Sequence, residues 1–96
     1  MEFIYHPLAA KDAREISRKY ADASEKVNAR FWAELDEALD AIRLYPERHH
    51  FDLSGYRRVN LKKFPYHILF EIRLKRIRVM VIRHDHRNPT YGLRRK

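Results

Sequence analysis

Ninety-six residues carrying 21 Lys and Arg against 13 Asp and Glu, a formal charge of +8, make one small basic domain spanning residues 1–96. The lack of cysteine excludes a disulfide framework and a thiolate metal site, and two glycines leave no room for a Gly-rich phosphate loop or a dinucleotide fold. No apolar run reaches the ~18–20 residues of a membrane span, and Met1-Glu2-Phe3-Ile4-Tyr5-His6-Pro7 lacks the regions of a signal peptide, so a cytoplasmic location without membrane contact is expected.

Phe3-Ile4-Tyr5 is aromatic and β-branched and stops at Pro7, which predicts a first strand. Pro7 suits the first turn of a helix. Ala9, Ala13, Ile16 and Tyr20 then repeat at helical spacing, with Lys11, Arg14, Glu15, Arg18 and Lys19 on the wet side. Asp22 and Ser24 both qualify as cap of a second helix, and Asp22 with Glu25 has the form of a capping box. Val27, Phe31, Leu35, Ala38, Leu39 and Ile42 supply that helix with a broad apolar stripe, and Pro46 ends it near Tyr45. The short gap between the helices predicts an antiparallel pair. Trp32, beside the stripe, reads as core edge or interface.

Residues 46–55 read as a loop, with His49-His50 a solvent-exposed pair. The period then changes to two. In Tyr56–Lys62, Val59 and Leu61 oppose Arg58, Asn60 and Lys62. In Tyr66–Arg73, Tyr66, Ile68, Phe70 and Ile72 oppose His67, Leu69 and Glu71. Leu74-Lys75 is a tight connection to Arg76–His84, where Ile77, Val79 and Val81 alternate with Arg78, Met80 and Ile82. Apolar residues on both sides make this last strand internal. A polar, basic tail follows from Asp85 to Lys96. The order β-α-α-β-β-β predicts an α+β domain, with a two-helix hairpin packed on one face of an antiparallel sheet.

The charge is divided between the two halves. Residues 1–56 hold 8 basic and 11 acidic residues, net −3, whereas residues 57–96 hold 13 basic and 2 acidic, net +11. Acidic helices argue against a DNA-reading helix-turn-helix. Basic strands point to nucleic acid or an acidic protein. Arg58, Lys62, Lys63, Arg83, His86 and Arg87 are the expected nucleic-acid contacts on an open sheet face, with Tyr91 available to stack a base. RNA cleavage needs a base, an acid and positive charge on the transition state. His84 or His86 could move protons, and Arg58, Arg83 and Arg87 could stabilise charge. His84 and His86 would need His67 or Asp85 to complete a zinc site, so no metal and no cofactor is expected.

Several elements together resemble the RelE/ParE superfamily of toxins from bacterial type II toxin–antitoxin modules, which includes plasmid stabilisation proteins. These are the Phe-Ile-Tyr-His-Pro-Leu-Ala start, Arg30-Phe31-Trp32 in the second helix, and the Leu44-Tyr45-Pro46-Glu47-Arg48 exit. The Gly55–Tyr66 stretch with Phe64-Pro65-Tyr66 and the His84-x-x-Arg87-x-Pro89 ending complete the set. The resemblance implies the same β-α-α-β-β-β fold and a toxin neutralised by a cognate acidic antitoxin, as a hetero-oligomer or homodimer. ParE-like members poison DNA gyrase without being nucleases. RelE-like members are endoribonucleases that cleave mRNA on the ribosome. In the RelE pattern Arg58 takes the first basic position, Asn60 stands where Lys is expected, and His67 stands where an Arg is expected. Arg87 and Tyr91 fill the last two. A RelE-like catalytic set would thus be Arg58, His67, His84, Arg87 and Tyr91. The Phe-Pro-Tyr and His-x-x-Arg-x-Pro elements favour the ParE-like branch. A non-toxic nucleic-acid-binding domain of the same fold is the remaining alternative.

Overall fold

A computed structural model describes residues 1–96. The elements are β1 (Glu2–Tyr5), α1 (Pro7–Ala23), α2 (Glu25–Leu44), a 3-10 turn (Pro46–Arg48), β2 (Arg57–Asn60), β3 (Tyr66–Arg73) and β4 (Arg76–His84). The order is the one the hydrophobic periods predict.

His6 closes β1 and opens α1. Its Nδ1 accepts the Leu8 N–H at 3.0 Å, and Pro7 sits in the first turn. The two helices share one junction residue, Ser24. Its N–H donates to the Tyr20 carbonyl, ending α1, and its Oγ accepts the Val27 N–H, starting α2. The Asp22–Glu25 capping box therefore does not form. A cap needs extended backbone, and Asp22 is still helical because α1 runs on to Ala23. Near this junction Trp32 Nε1 donates to Ser17 Oγ, which donates to Asn28 Oδ1, both at 2.8 Å. Trp32 is half-buried at the contact between the helices.

Ala9, Ala13 and Ile16 of α1 and Phe31, Leu35, Ala38, Leu39 and Ile42 of α2 form one core with Leu61, Ile68, Phe70, Ile77, Val79 and Ile82 of the sheet side. Tyr20, Phe31, Phe64 and Tyr66 close its end, ring centroids 5.0–6.1 Å apart. No helix is long and apolar enough to cross a membrane.

The sheet order is β1-β4-β3-β2. β2, β3 and β4 form the expected antiparallel meander, but β1 joins β4 in parallel, so the sheet is mixed rather than antiparallel. A parallel partner requires a long crossover, and the helical hairpin with the meander supplies one. Nothing in a four-residue strand announces its neighbour.

A second correction concerns β4. Its pairing with β3 runs Leu69↔Val81, then Phe70↔Val79, so Met80 is the extra residue of a β-bulge. Strict alternation placed Val81 with Ile77 and Val79. The bulge exchanges the faces, sending Ile82 to the helix-side core and leaving Val81 with Leu69 and Met80 on the other side.

The β3–β4 hairpin turns at Leu74 (φ 53°) and Lys75 (φ 60°), both left-handed. Two such residues in succession make the hairpin turn that normally carries Asn-Gly. Leu74 is 84% exposed, so no packing offsets its strain. Replacing the pair (Leu74→Asn with Lys75→Gly) is expected to stabilise the fold by about 1–2 kcal/mol. The check is a thermal scan, in which each kcal/mol raises Tm by about 4–8 °C.

Candidate functional site

The sheet face opposite the helices is covered rather than open. The C-terminal segment folds back over it, and Tyr91 and Leu93, with Tyr56, pack on Leu69, Met80 and Val81. Gly92 makes this approach possible. Its φ is +81°, and a Cβ there would lie 2.6 Å from a Val81 methyl.

Under this cover the strand cations meet in a closed network. His67 and Arg83 face each other across β3 and β4 and are 1% and 5% exposed. Arg83 Nε donates to His67 Nε2 at 2.9 Å, so that nitrogen is unprotonated. The ring proton is therefore on Nδ1, which donates to Asp85 Oδ1 at 2.9 Å. Arg83 Nη1 donates to the Pro89 and Tyr91 carbonyls at 2.8 and 3.1 Å and so holds the tail. Arg58 donates to Asn60 Oδ1 and Asp52 Oδ1 and lies 3.6 Å from Asp85. Asp52 closes the ring at 3.8 Å from Arg83. Burial holds His67 below its ordinary pKa. The Asp85 hydrogen bond opposes that, and the charges of Arg58 and Arg83 add to it. Burial likewise lowers Arg83, against the pull of Asp52. Burial pushes the Asp52 carboxyl up, but hydrogen bonds from Ser54 and Arg58 and the Arg83 charge outweigh it and hold it below the usual range.

A second buried centre went unnoticed in the sequence. Asp12 of α1 is 5% exposed and accepts from four donors. They are the Ile82 N–H (3.1 Å), the Tyr91 hydroxyl (2.8 Å) and two nitrogens of Arg95 (2.6 and 3.0 Å). The His6 N–H to Val79 carbonyl bond is the last to β4 from the β1 side. Past it, Asp12 takes the Ile82 N–H and Arg95 takes the Met80 carbonyl at 2.9 Å. The available signal was position: Asp12 lies between Ala9, Ala13 and Ile16 on the apolar stripe, where a lone carboxylate needs buried partners.

The other expected contacts are scattered. Lys62 is tied to Glu37 of α2, and Glu34 accepts the Lys63 and Phe64 N–H groups. His49 is half-buried, within 3.2 Å of the Ala41 carbonyl and edge-on to Phe70, which corrects the exposed pair to His50 alone. His84 packs edge-on to Tyr66, and its Nδ1 accepts the His86 N–H. No three potential ligands cluster around a metal position. One accessible cleft, of about 190 Å³, lies between α1 and the C-terminal segment, walled by Ile16, Lys19, Tyr66, His84, Arg87 and Tyr91.

A two-helix hairpin on a four-stranded mixed sheet, with a tail closing the far face, defines a domain of the RelE/ParE type. A family model described as "ParE toxin of type II toxin-antitoxin system, parDE" matches residues 3–89, and the chain belongs to that family. Among solved structures, a chain described as "Chromosomal ParDE TA system from P. aeruginosa" shares the fold. It has a TM-score of 0.77 and 17% identity, with 88% of this chain and 95% of that one covered. No curated protein sequence matches.

Asp12→Ala strands the Arg95 charge and the Ile82 N–H, and is expected to cost about 3–5 kcal/mol in urea unfolding. A loss below about 1 kcal/mol would show that the pair is not structural. For His67, the folded state resists protonation, so the unfolded chain takes up the proton first as pH falls below about 6.5. Stability is expected to fall from there toward the lower folded pKa and to level off beneath it. His67→Gln should flatten that slope, leaving the contribution of His6, whose pKa is also lowered by burial.

Proposed function

We propose that this protein is the growth-arresting toxin of a type II toxin–antitoxin module, that it acts by binding DNA gyrase rather than by cutting RNA, and that an acidic antitoxin restrains it. Membership of the ParE family supports the module and the target class. The observation that carries the non-nucleolytic reading is the buried network. Both ring nitrogens of His67 are engaged, three donors of Arg83 hold internal acceptors, and the Tyr91 hydroxyl donates to Asp12. Of the RelE-like set, the buried His67 has its ring proton tied to Asp85 and Tyr91 has its hydroxyl tied to the buried Asp12, and general acid–base catalysis needs such groups within reach of the substrate. The exposed positive charge is then a binding surface, complementary to an acidic partner.

One observation favours a second reading. His84 and Arg87 line the accessible cleft, with the His86 ring 5.6 Å from that of His84, and two imidazoles near a guanidinium are groups that RNA cleavage can use.

Induced expression is expected to arrest bacterial growth, with relief by the small acidic protein encoded beside it. Purified toxin is expected to inhibit gyrase supercoiling while leaving mRNA intact in a translating extract. Untouched supercoiling with shortened message, abolished by His84→Ala or Arg87→Ala, would replace the first reading with the second. An absence of growth arrest would leave only the nucleic-acid-binding domain.

A further inference from the structure

The cleft beside α1 holds cationic donors that nothing inside the protein uses. Neither Lys19 nor Arg87 lies within ion-pair distance of a carboxylate. The Arg87 guanidinium is nevertheless held in place. It stacks on the Tyr91 ring at 4.1 Å, and Tyr91 is fixed by its hydroxyl bond to the buried Asp12. This cation–π contact holds the guanidinium over the ring and leaves its N–H donors without an internal acceptor. His84 adds a third donor. Its Nδ1 accepts the His86 N–H, which puts the ring proton on the unpartnered Nε2. Asp12 at the floor is already neutralised by Arg95.

We propose that this cleft seats a carboxylate side chain, Asp or Glu, of the acidic protein that restrains the toxin. The inference rests on the toxin–antitoxin reading and adds the anchor point to it. Two features favour a carboxylate on a carbon stem over a phosphate backbone. Ile16, Ile82 and the Tyr66 ring supply apolar wall, which a methylene stem covers and a phosphodiester does not. Glu15 also lines the cleft, 3.8 Å from Lys11, and a second fixed negative charge is tolerated better by one carboxylate than by a chain of phosphates. A fork-shaped donor with free N–H groups matches a carboxylate through two parallel hydrogen bonds.

The test is calorimetric titration of the full-length toxin with the small acidic protein encoded in the adjoining reading frame, at about 0.15 M salt. Lys19→Glu with Arg87→Glu is expected to weaken binding at least about tenfold. Arg87→Lys keeps the charge, loses the fork, and is expected to lose part of that affinity. Arg73→Glu with Lys75→Glu makes the same change of net charge at the exposed far hairpin and serves as the control. Equal affinity for the cleft variant and wild type overturns the proposal. So does an equal loss in the control, which would reduce the effect to overall charge. A short single-stranded RNA supplies the last arm: cleft reversal that abolishes RNA binding and spares the protein complex assigns the site to phosphate and overturns the proposal. If wild-type toxin forms no complex at all, the toxin–antitoxin reading itself has failed, which the variants cannot mimic.

Discussion

The carboxylate of Asp12 is the constraint on which the rest of the structure depends. β1 has to stop at Tyr5 because Pro7, without an N–H, begins the helix. β4 runs several residues further, and its backbone groups on that side need partners. Asp12 reaches down from α1 to take the Ile82 N–H, and it draws Arg95 to the Met80 carbonyl at the bulge. One carboxylate thus fixes the first helix, the edge of the central strand and the end of the chain. The pairing spans 83 positions in sequence.

With the tail secured, the far face of the sheet becomes an interior. A chain with this much positive charge in its second half would be expected to present those cations to solvent. The structure instead divides them. Arg58, Arg83 and Arg95 neutralise Asp52, Asp85 and Asp12, with His67 kept neutral between Arg83 and Asp85. Burying a guanidinium is tolerable when it is hydrogen-bonded and paired, and Arg83 donates to a ring nitrogen and two tail carbonyls and has Asp52 at 3.8 Å. The cations left for a partner are those outside this ring. Among them Arg87 lies over the Tyr91 ring, which the same Asp12 centre positions through its hydroxyl.

How much of this was legible depends on the range of the interactions. The apolar stripes of both helices and the two-residue alternation of β2 and β3 matched the buried core, since both periods follow from local backbone geometry. Alternation failed at one place in β4, where a bulge moves Val81 and Ile82 to opposite faces from those expected. A bulge leaves no mark in a run of Val, Met, Val and Ile. The cap at the helix junction was narrowed to Asp22 or Ser24, and helix length decided for Ser24. Among the site residues, the two-residue period makes Arg58, His67 and Arg83 neighbours on one sheet face, and the structure buries His67 and Arg83 while leaving Arg58 partly exposed. Whether a charged face is wet depends on what the last residues of the chain do.

The sequence by itself determined the α+β class, the element order and the separation of charge, because composition and periodicity are properties of neighbouring residues. Tertiary structure alone decided the parallel placement of β1, the burial of His67 and Arg83, and the role of Asp12. It also decided which cations remain free. Each of these depends on groups brought together from distant parts of the chain, and a carboxylate on an apolar stripe gains its meaning only when its guanidinium arrives from the far end.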